Sequence, residues 1–256
     1  MYQDFSAIYE EKIKEDFDYQ AMADFILGQM RQFHVKGKYA LDMGCGTGNA
    51  GLMILPSLER MILCDPSEEM LTLARNKYSG SGQATFLKGE APTFLYPDRF
   101  DLIISVLDIP NYLDSLELEA FLHNSYRNLE HTGILIFDIS SVHKLTKAAM
   151  TGVFVYDDED YFHVWENQLV GKTLELTINA FIRTRGKSAG RYNPPLYHRV
   201  TEEQVMHLHT EEEIDETAQT AGFMIAGKYD GYTEKPASPG SERIVYVLTK
   251  GVTING

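Results

Sequence analysis

The residues best suited to chemistry form a short string in which an acid precedes three alternate glycines. The string is Asp42-x-Gly44-x-Gly46-x-Gly48, and it ends an apolar run over residues 39–43. Glycine adopts positive φ and lets a ligand lie against the backbone without an intervening Cβ. A helix follows the string directly, and its unpaired N–H groups favour a carboxylate or a phosphate. The string therefore predicts a nucleotide-binding turn between a buried strand and a helix.

Two ligand classes fit such a turn. Gly46-x-Gly48-x-x-Gly51 matches the dinucleotide pattern, and Asp65 lies about 20 residues further on, as that pattern requires. The longer acid-x-Gly-x-Gly-x-Gly string resembles motif I of the class I S-adenosylmethionine (SAM)-dependent methyltransferases. A tight turn without a ligand is the third interpretation.

Asp65 directly follows a predicted buried strand over residues 60–64. A carboxylate at that place offers two acceptor oxygens, so we expect it to bind the ribose hydroxyls. Pro66 and Ser67 then begin a helix, and a helix N-cap is the alternative role for Asp65.

A nearly all-apolar run over residues 100–106 is typical of a central parallel strand that is buried on both faces. The end of such a strand should open beside the glycine turn, where ligands bind in sheets of this kind. We therefore expect Asp108, Asn111 and Tyr112 to meet the substrate.

The resemblance to the class I methyltransferases extends to the chain's opening residues. The string Met1-Tyr-x-x-Phe-Ser-x-Ile-Tyr9, followed by Asp18-Tyr19, is similar to a group of small bacterial members in which a tyrosine lies near the cofactor. The resemblance implies SAM as cofactor, with Glu90 accepting from the adenine amino group and the Ala91 N–H meeting the ring; Glu90 as a solvated loop acid is the alternative. The implied cofactor-binding residues are Tyr9, Tyr19, Asp42, Gly44, Gly46, Gly48, Asp65, Pro66, Met70, Glu90, Ala91 and Val106.

The 256 residues suit one α/β domain that carries an insertion. We expect a doubly wound, mostly parallel seven-stranded sheet with a reversed last strand, built from residues 1–150 and 210–256 and covered by an N-terminal helical lid. Residues 151–209 are rich in β-branched and aromatic residues and predict an inserted antiparallel β-sheet that caps the substrate. The last strands, 223–229 and 243–249, are joined by too short a loop for a crossover helix, so they must be antiparallel neighbours.

That terminal hairpin favours a methyltransferase over an NAD(P)-dependent oxidoreductase, whose βαβ pattern would continue to the end. A non-catalytic SAM-binding module is a further alternative. The substrate would present an N or O nucleophile. Tyr9 is the first choice for a hydroxyl near the methyl group, and His198 is the candidate base from the cap, because imidazole titrates near neutral pH. Helix packing of the early aromatics and a merely packed or exposed histidine are the alternatives.

The net charge of −14 repels phosphate backbones, which makes a nucleic acid unlikely and favours a small-molecule substrate. No apolar run approaches 18 residues and no signal peptide is visible, so we expect no membrane association. Cys45 and Cys64 are the two cysteines, and we expect both to be reduced core residues of a cytoplasmic protein. No metal site is predicted, and a homodimer is left open.

Overall fold

The computed structural model describes residues 17–78, 82–157, 161–183 and 196–251. The strands, in chain order, are β1 (Tyr39–Met43), β2 (Arg60–Asp65), β3 (Ala84–Lys88), β4 (Phe100–Ser105), β5 (Leu129–Ser140), β6 (Val153–Asp157), β7 (Tyr161–Val170), β8 (Thr173–Arg183), β9 (Tyr197–His207), β10 (Met224–Asp230) and β11 (Arg243–Thr249). The helices are α1 (Tyr19–Gln32), α2 (Asn49–Ile54), α3 (Glu68–Tyr78), α4 (Ser115–Asn128), α5 (Val142–Thr151) and α6 (Glu211–Thr220).

Seven strands form one sheet in the order β10-β11-β5-β4-β1-β2-β3. β1 pairs in parallel with both β2 and β4, and β4 pairs in parallel with β5. β11 is antiparallel to both β5 and β10, which confirms the predicted reversed strand and terminal hairpin. Because β1 and β4 are neighbours whose connections run in opposite directions, the sheet has its switch point at their carboxyl ends.

Hydrophobic layers cover both faces of this sheet. Phe121 of α4 and Ile214 of α6 pack on one face together with Leu41 of β1. Ile26 of α1 and Leu71 of α3 pack on the other face. Successive strand residues point to opposite faces, so a central strand buried on both sides must be apolar throughout, as the sequence pattern indicated.

The remaining four strands form the cap sheet, β6 to β9, which is antiparallel throughout with the order β6-β7-β8-β9. Every second residue of β8 is buried, from Leu174 to Ala180, which confirms the predicted alternation. One end of this buried face packs on Leu145 of α5. The helix that follows the cap begins with a capping box, in which the Thr210 side chain accepts from the Glu213 N–H and the Glu213 side chain accepts from the Thr210 N–H.

Several element boundaries differ from those expected from the sequence. β5 begins at Leu129, ahead of its apolar run over residues 134–137, because Leu129 pairs with Phe100 before the register shifts. The last cap strand ends at His207 rather than at residue 209. A helix was expected over residues 1–35; α1 begins at Tyr19, after its N-cap Asp18, and residues 1–16 lie outside the described part of the chain.

Both cysteines are buried free thiols, as expected. Of the helices in the described ranges, none has the length and apolar character that crossing a membrane requires.

Candidate active site

A cavity of about 750 Å³ lies at the carboxyl ends of β1, β2 and β4, the predicted switch point. That volume is typical of a small-molecule site. The structure brings together ten of the predicted residues along its wall: Tyr19, Asp42, Gly44, Gly46, Asp65, Pro66, Met70, Val106, Asp108 and Tyr112.

Five predicted residues do not line this cavity. Gly48, Ala91 and Asn111 are buried elsewhere, whereas Glu90 and His198 are exposed. Tyr9 lies outside the described residues.

Asn111 has a structural position. Its side-chain amide donates to the Ser140 carbonyl at 3.2 Å and to the His207 carbonyl at 3.0 Å, while its Oδ1 accepts from the Ser140 N–H at 2.8 Å. These bonds tie the end of β5 to the end of β9, so Asn111 joins the cap to the main sheet.

The three alternate glycines are required for different reasons. All have positive φ, at 76°, 53° and 79°. A Cβ on Gly44 would lie 2.6 Å from Ile109 Cδ1, and one on Gly48 would lie 2.8 Å from Tyr78 Cε2. A Cβ on Gly46 would meet no atom of the described residues within 4 Å. Two glycines therefore accommodate the protein's own side chains, and Gly46 alone leaves open space beside the cavity.

Asp65 holds the glycine turn and keeps acceptor capacity. Its Oδ2 accepts from the Gly46 N–H at 2.8 Å and its Oδ1 from the Ser67 N–H at 2.9 Å. Burial raises the pKa of this carboxyl, and the two N–H donors oppose that rise. The N-cap is instead Ser67, whose Oγ accepts from the Met70 N–H. A carboxylate has about four acceptor sites, so Asp65 can still accept from a ligand.

Asp42 is fully buried at the base of the turn, and no donor among the described residues reaches either of its oxygens in hydrogen-bonding geometry. Burial, and then the charge of Asp65, raise its pKa to about 7, although the nearby Gly51 N–H opposes the rise. Gly51 allows this approach because a Cβ there would lie 3.0 Å from Asp42 Oδ2. A carboxylate without donors beside a cavity favours a cationic ligand.

A second buried acid, Asp138, organises the end of β4. It accepts from the backbone N–H groups of Leu107 at 3.0 Å and Asp108 at 2.7 Å. Arg243 Nη1 lies 2.7 Å from its Oδ1, and the Tyr232 hydroxyl donates to its Oδ2. Leu107 and Asp108 have positive φ, 64° and 68°, a conformation that costs about 1–3 kcal/mol for each non-glycine residue. Asp138 therefore holds a strained turn that forms part of the cavity wall.

Asp108 lines the cavity, but its charge is compensated. Arg243 donates to both of its carboxylate oxygens, at 2.8 and 3.1 Å, and the Ser140 hydroxyl adds a third bond at 2.9 Å. The Phe17 ring, which also lines the cavity, lies 5.6 Å from the Arg243 guanidinium carbon and 5.0 Å from the Tyr19 ring. Through Phe17, the network of Asp138, Asp108 and Arg243 thus contacts the aromatic residues at the start of α1.

The cavity is lined by five carboxylates: Asp42, Asp65, Glu69, Asp108 and Glu202. Within the described part of the chain, no lysine, arginine or histidine lines it. An acidic wall with few compensating charges attracts cations.

Sequence reasoning missed Phe17, Glu202, Asp138 and Arg243. Glu202 could have been found, because strict alternation places it on the inner face of β9, where a charge is unusual. Arg243 begins the reversed strand β11 and pairs with Ser140, the last residue of β5. A strand that runs antiparallel to the others begins at the edge of the sheet where the parallel strands end. The first residues of β11 could therefore have been predicted as site residues.

Comparison with known proteins identifies the family. Residues 40–133 match the family model described as a methyltransferase domain. An S-adenosylmethionine-dependent methyltransferase from Clostridium acetobutylicum ATCC 824 is 31% identical, with 97% of this chain and 98% of that chain covered and a TM-score of 0.87. YqeM of Bacillus subtilis (strain 168), named as a candidate methyltransferase, is 26% identical over 259 residues, with 99% of each chain covered. The sugar N-methyltransferase KedS8 from Streptoalloteichus sp ATCC 53650 has the same fold, with 17% identity, 93% and 92% coverage and a TM-score of 0.72.

The chain belongs to the S-adenosylmethionine-dependent methyltransferases, and SAM is its cofactor. The site fits this cofactor: Gly46 leaves space against the backbone, and Asp42 has no hydrogen-bond donor in the part of the chain that the structure describes.

Replacing Asp138 tests the buried network. Asp138→Asn should lower the free energy of unfolding by about 2–4 kcal/mol, because either orientation of the amide turns its NH₂ group toward existing donors. The control is Glu242→Gln, which removes an exposed ion pair with Lys147 and should change stability by less than about 1 kcal/mol. Chemical denaturation measures both variants. Equal stability of the two variants would contradict the structural role of Asp138.

The raised pKa of Asp42 predicts pH-dependent cofactor binding. A cation favours the ionised carboxylate, so below pH 7 binding must first remove a proton. The dissociation constant for SAM should therefore rise about threefold to tenfold from pH 7 to pH 6, and Asp42→Asn should flatten this dependence. Calorimetry at both pH values measures it.

The raised pKa of Asp42 should also make the stability of the cofactor-free protein depend on pH. The pKa of Asp42 is raised on folding, so its stabilising contribution is complete below pH 3.8 and is lost as the pH rises through about 7. The cofactor-free Asp42→Asn variant should consequently lose less stability than the wild type between pH 5 and pH 8. Identical pH profiles for the two proteins would show that Asp42 does not titrate in this range.

Proposed function

We propose that this protein transfers the methyl group of SAM to an amine nitrogen of a small molecule. The observation that carries the proposal is the set of acids around the cavity, in which Asp108 is compensated by Arg243 but Asp42 and Glu202 have no cationic partner among the described residues. When bound, SAM supplies a methyl group that its sulfonium already activates.

A nitrogen acceptor suits these charges better than an oxygen acceptor does. A neutral amine carries its own lone pair and becomes positively charged as it takes up the methyl group, and carboxylates stabilise that charge. An anionic oxygen nucleophile would be repelled by the same wall. A hydroxyl would need a base, and the predicted base His198 lies outside the cavity lining.

The cofactor-binding roles follow the geometry. Asp65 would accept from the ribose hydroxyls with its remaining lone pairs, and Met70 and Val106 would pack against the adenine. Phe17 and Tyr19 would exclude water from the methyl group. Glu90 and Ala91 remain predicted contacts of the adenine, and Tyr9 remains the predicted hydroxyl near the methyl group.

The cavity volume supports a small acceptor, since about 750 Å³ must hold the cofactor and the acceptor together. The fold shared with a sugar N-methyltransferase is compatible with this substrate class. The net charge of −14 opposes a nucleic acid. The cytoplasmic location, the division into a main domain and a cap domain, and a homodimer remain predictions.

The test uses methyl-labelled SAM and matched pairs of compounds that differ only in an amine or a hydroxyl, such as glucosamine with glucose and propylamine with propanol. We expect transfer to amines at a kcat/KM at least tenfold above that for the matched alcohols, with kcat/KM rising as the pH approaches the acceptor's own pKa. Calorimetry first establishes that SAM binds and that NAD does not. A non-catalytic module would bind SAM and label nothing, and preferential labelling of alcohols would refute the amine assignment.

A further inference from the structure

The cap sheet contributes one charged side chain to the cavity. Glu202 lies on β9, opposite Ile178 of β8, which is 1% exposed. Side chains alternate along a strand, so Glu202, Gln204 and Met206 share the face that Ile178 defines, and Met206 is buried there. Glu202 lines the cavity, whereas its neighbour Glu203 is exposed on the opposite face.

Two hydrogen bonds fix Glu202 in this position. The Gln204 side-chain amide donates to Glu202 Oε1, and Gln204 Oε1 in turn accepts from the Tyr112 hydroxyl at 3.1 Å. Tyr112 ends the short 3-10 turn that follows β4 and also lines the cavity. The chain Tyr112–Gln204–Glu202 therefore connects the main sheet to the cap and orients the carboxylate.

Glu202 differs from the other acids of the cavity. Asp65 holds the glycine turn and is assigned to the ribose, Asp108 is paired with Arg243, and Asp42 is fully buried beneath the turn. Glu69 lies beside Ser67, near Asp65, and accepts from the Ser67 hydroxyl. Within residues 17–78, 82–157, 161–183 and 196–251, no lysine, arginine or histidine forms an ion pair with Glu202. Its charge is available to a ligand that enters between the cap and the sheet.

We propose that Glu202 is the acceptor-binding residue, which takes a hydrogen bond from the amine N–H and stabilises the positive charge that develops on that nitrogen. This inference rests on the proposed function and names the group that selects the amine. Gln204 and Tyr112 are positioning residues. His198, the base expected from the sequence, occupies the same strand four residues earlier, about 13 Å away along β9, and is exposed.

The chemistry balances without another reactant. The nitrogen lone pair forms the new bond to the methyl carbon as the carbon–sulfur bond breaks, and the electron pair of that bond remains on sulfur. Positive charge thus moves from sulfur to nitrogen, toward Glu202, and a proton leaves the product to water. A carboxylate that meets this charge contributes more in the transition state than in the ground state, which is the condition for catalysis.

The decisive variant is Glu202→Gln, with Glu203→Gln as the matched control on the opposite face of the same strand. For the best amine of the panel, kcat/KM should fall 10-fold to 100-fold in Glu202→Gln and less than twofold in Glu203→Gln. Glu202→Asp, which keeps the charge on a shorter side chain, should recover part of the loss. SAM affinity and melting temperature should match the wild type in all three variants.

A binding measurement gives a readout that is independent of turnover. With the protein saturated by S-adenosylhomocysteine, calorimetry compares glucosamine with glucose. The wild type and Glu203→Gln should bind the amine at least tenfold more tightly, and Glu202→Gln should bind both sugars equally. An undiminished amine preference in Glu202→Gln, or no preference in the wild type, would overturn this role. If Glu202→Gln methylated amines at the wild-type rate, the role of Glu202 would fail while the proposed function stood.

Discussion

The cavity depends on one buried carboxylate. Asp138 accepts two backbone N–H groups of the turn after β4, and it also binds Arg243 from the reversed strand and Tyr232 from the loop before that strand. Burial raises the pKa of the Asp138 carboxyl, and Arg243, the Tyr232 hydroxyl and the Asp108 N–H oppose that rise. Together the four donors hold two non-glycine residues at positive φ. Asp138 thus stabilises the turn by which the end of β4 enters the cavity wall, and the same turn brings Asp108 to Arg243.

The acids in and around the cavity differ in the donors that they bind. Acids that shape the protein are paired internally, Asp138 and Asp108 with Arg243 and Asp65 with backbone donors. Glu69 accepts from the Ser67 hydroxyl beside Asp65. In the proposed reaction, Asp42 below the glycine turn would meet the sulfonium, which loses positive charge, and Glu202 on the cap would meet the nitrogen, which gains it.

The sequence predicted the parts that depend on local pattern. Glycine spacing, apolar runs and the short loop between the last strands led to the mostly parallel seven-stranded sheet and its reversed strand, because these features follow from local pattern. The family resemblance added several of the ten cavity residues, among them Tyr19, Met70 and Val106. Side chains that come from distant segments were not predictable in this way. Glu202 and Arg243 reach the site only because the cap packs back on the sheet through Asn111 and because β11 runs against β5. Gly48 lies outside the cavity lining and accommodates Tyr78, and its contact with the cofactor stays a prediction.

The most direct test of a small amine as the methyl acceptor is transfer from methyl-labelled SAM to a bacterial cell extract. The extract is separated into macromolecules and small molecules, and the small molecules are then passed over a cation exchanger. We predict a new labelled species, resolved from the cationic SAM by its mass, among the small molecules that the exchanger retains, and its absence when the protein is omitted. Label in protein or nucleic acid, or in small molecules that pass through unretained, would contradict this prediction.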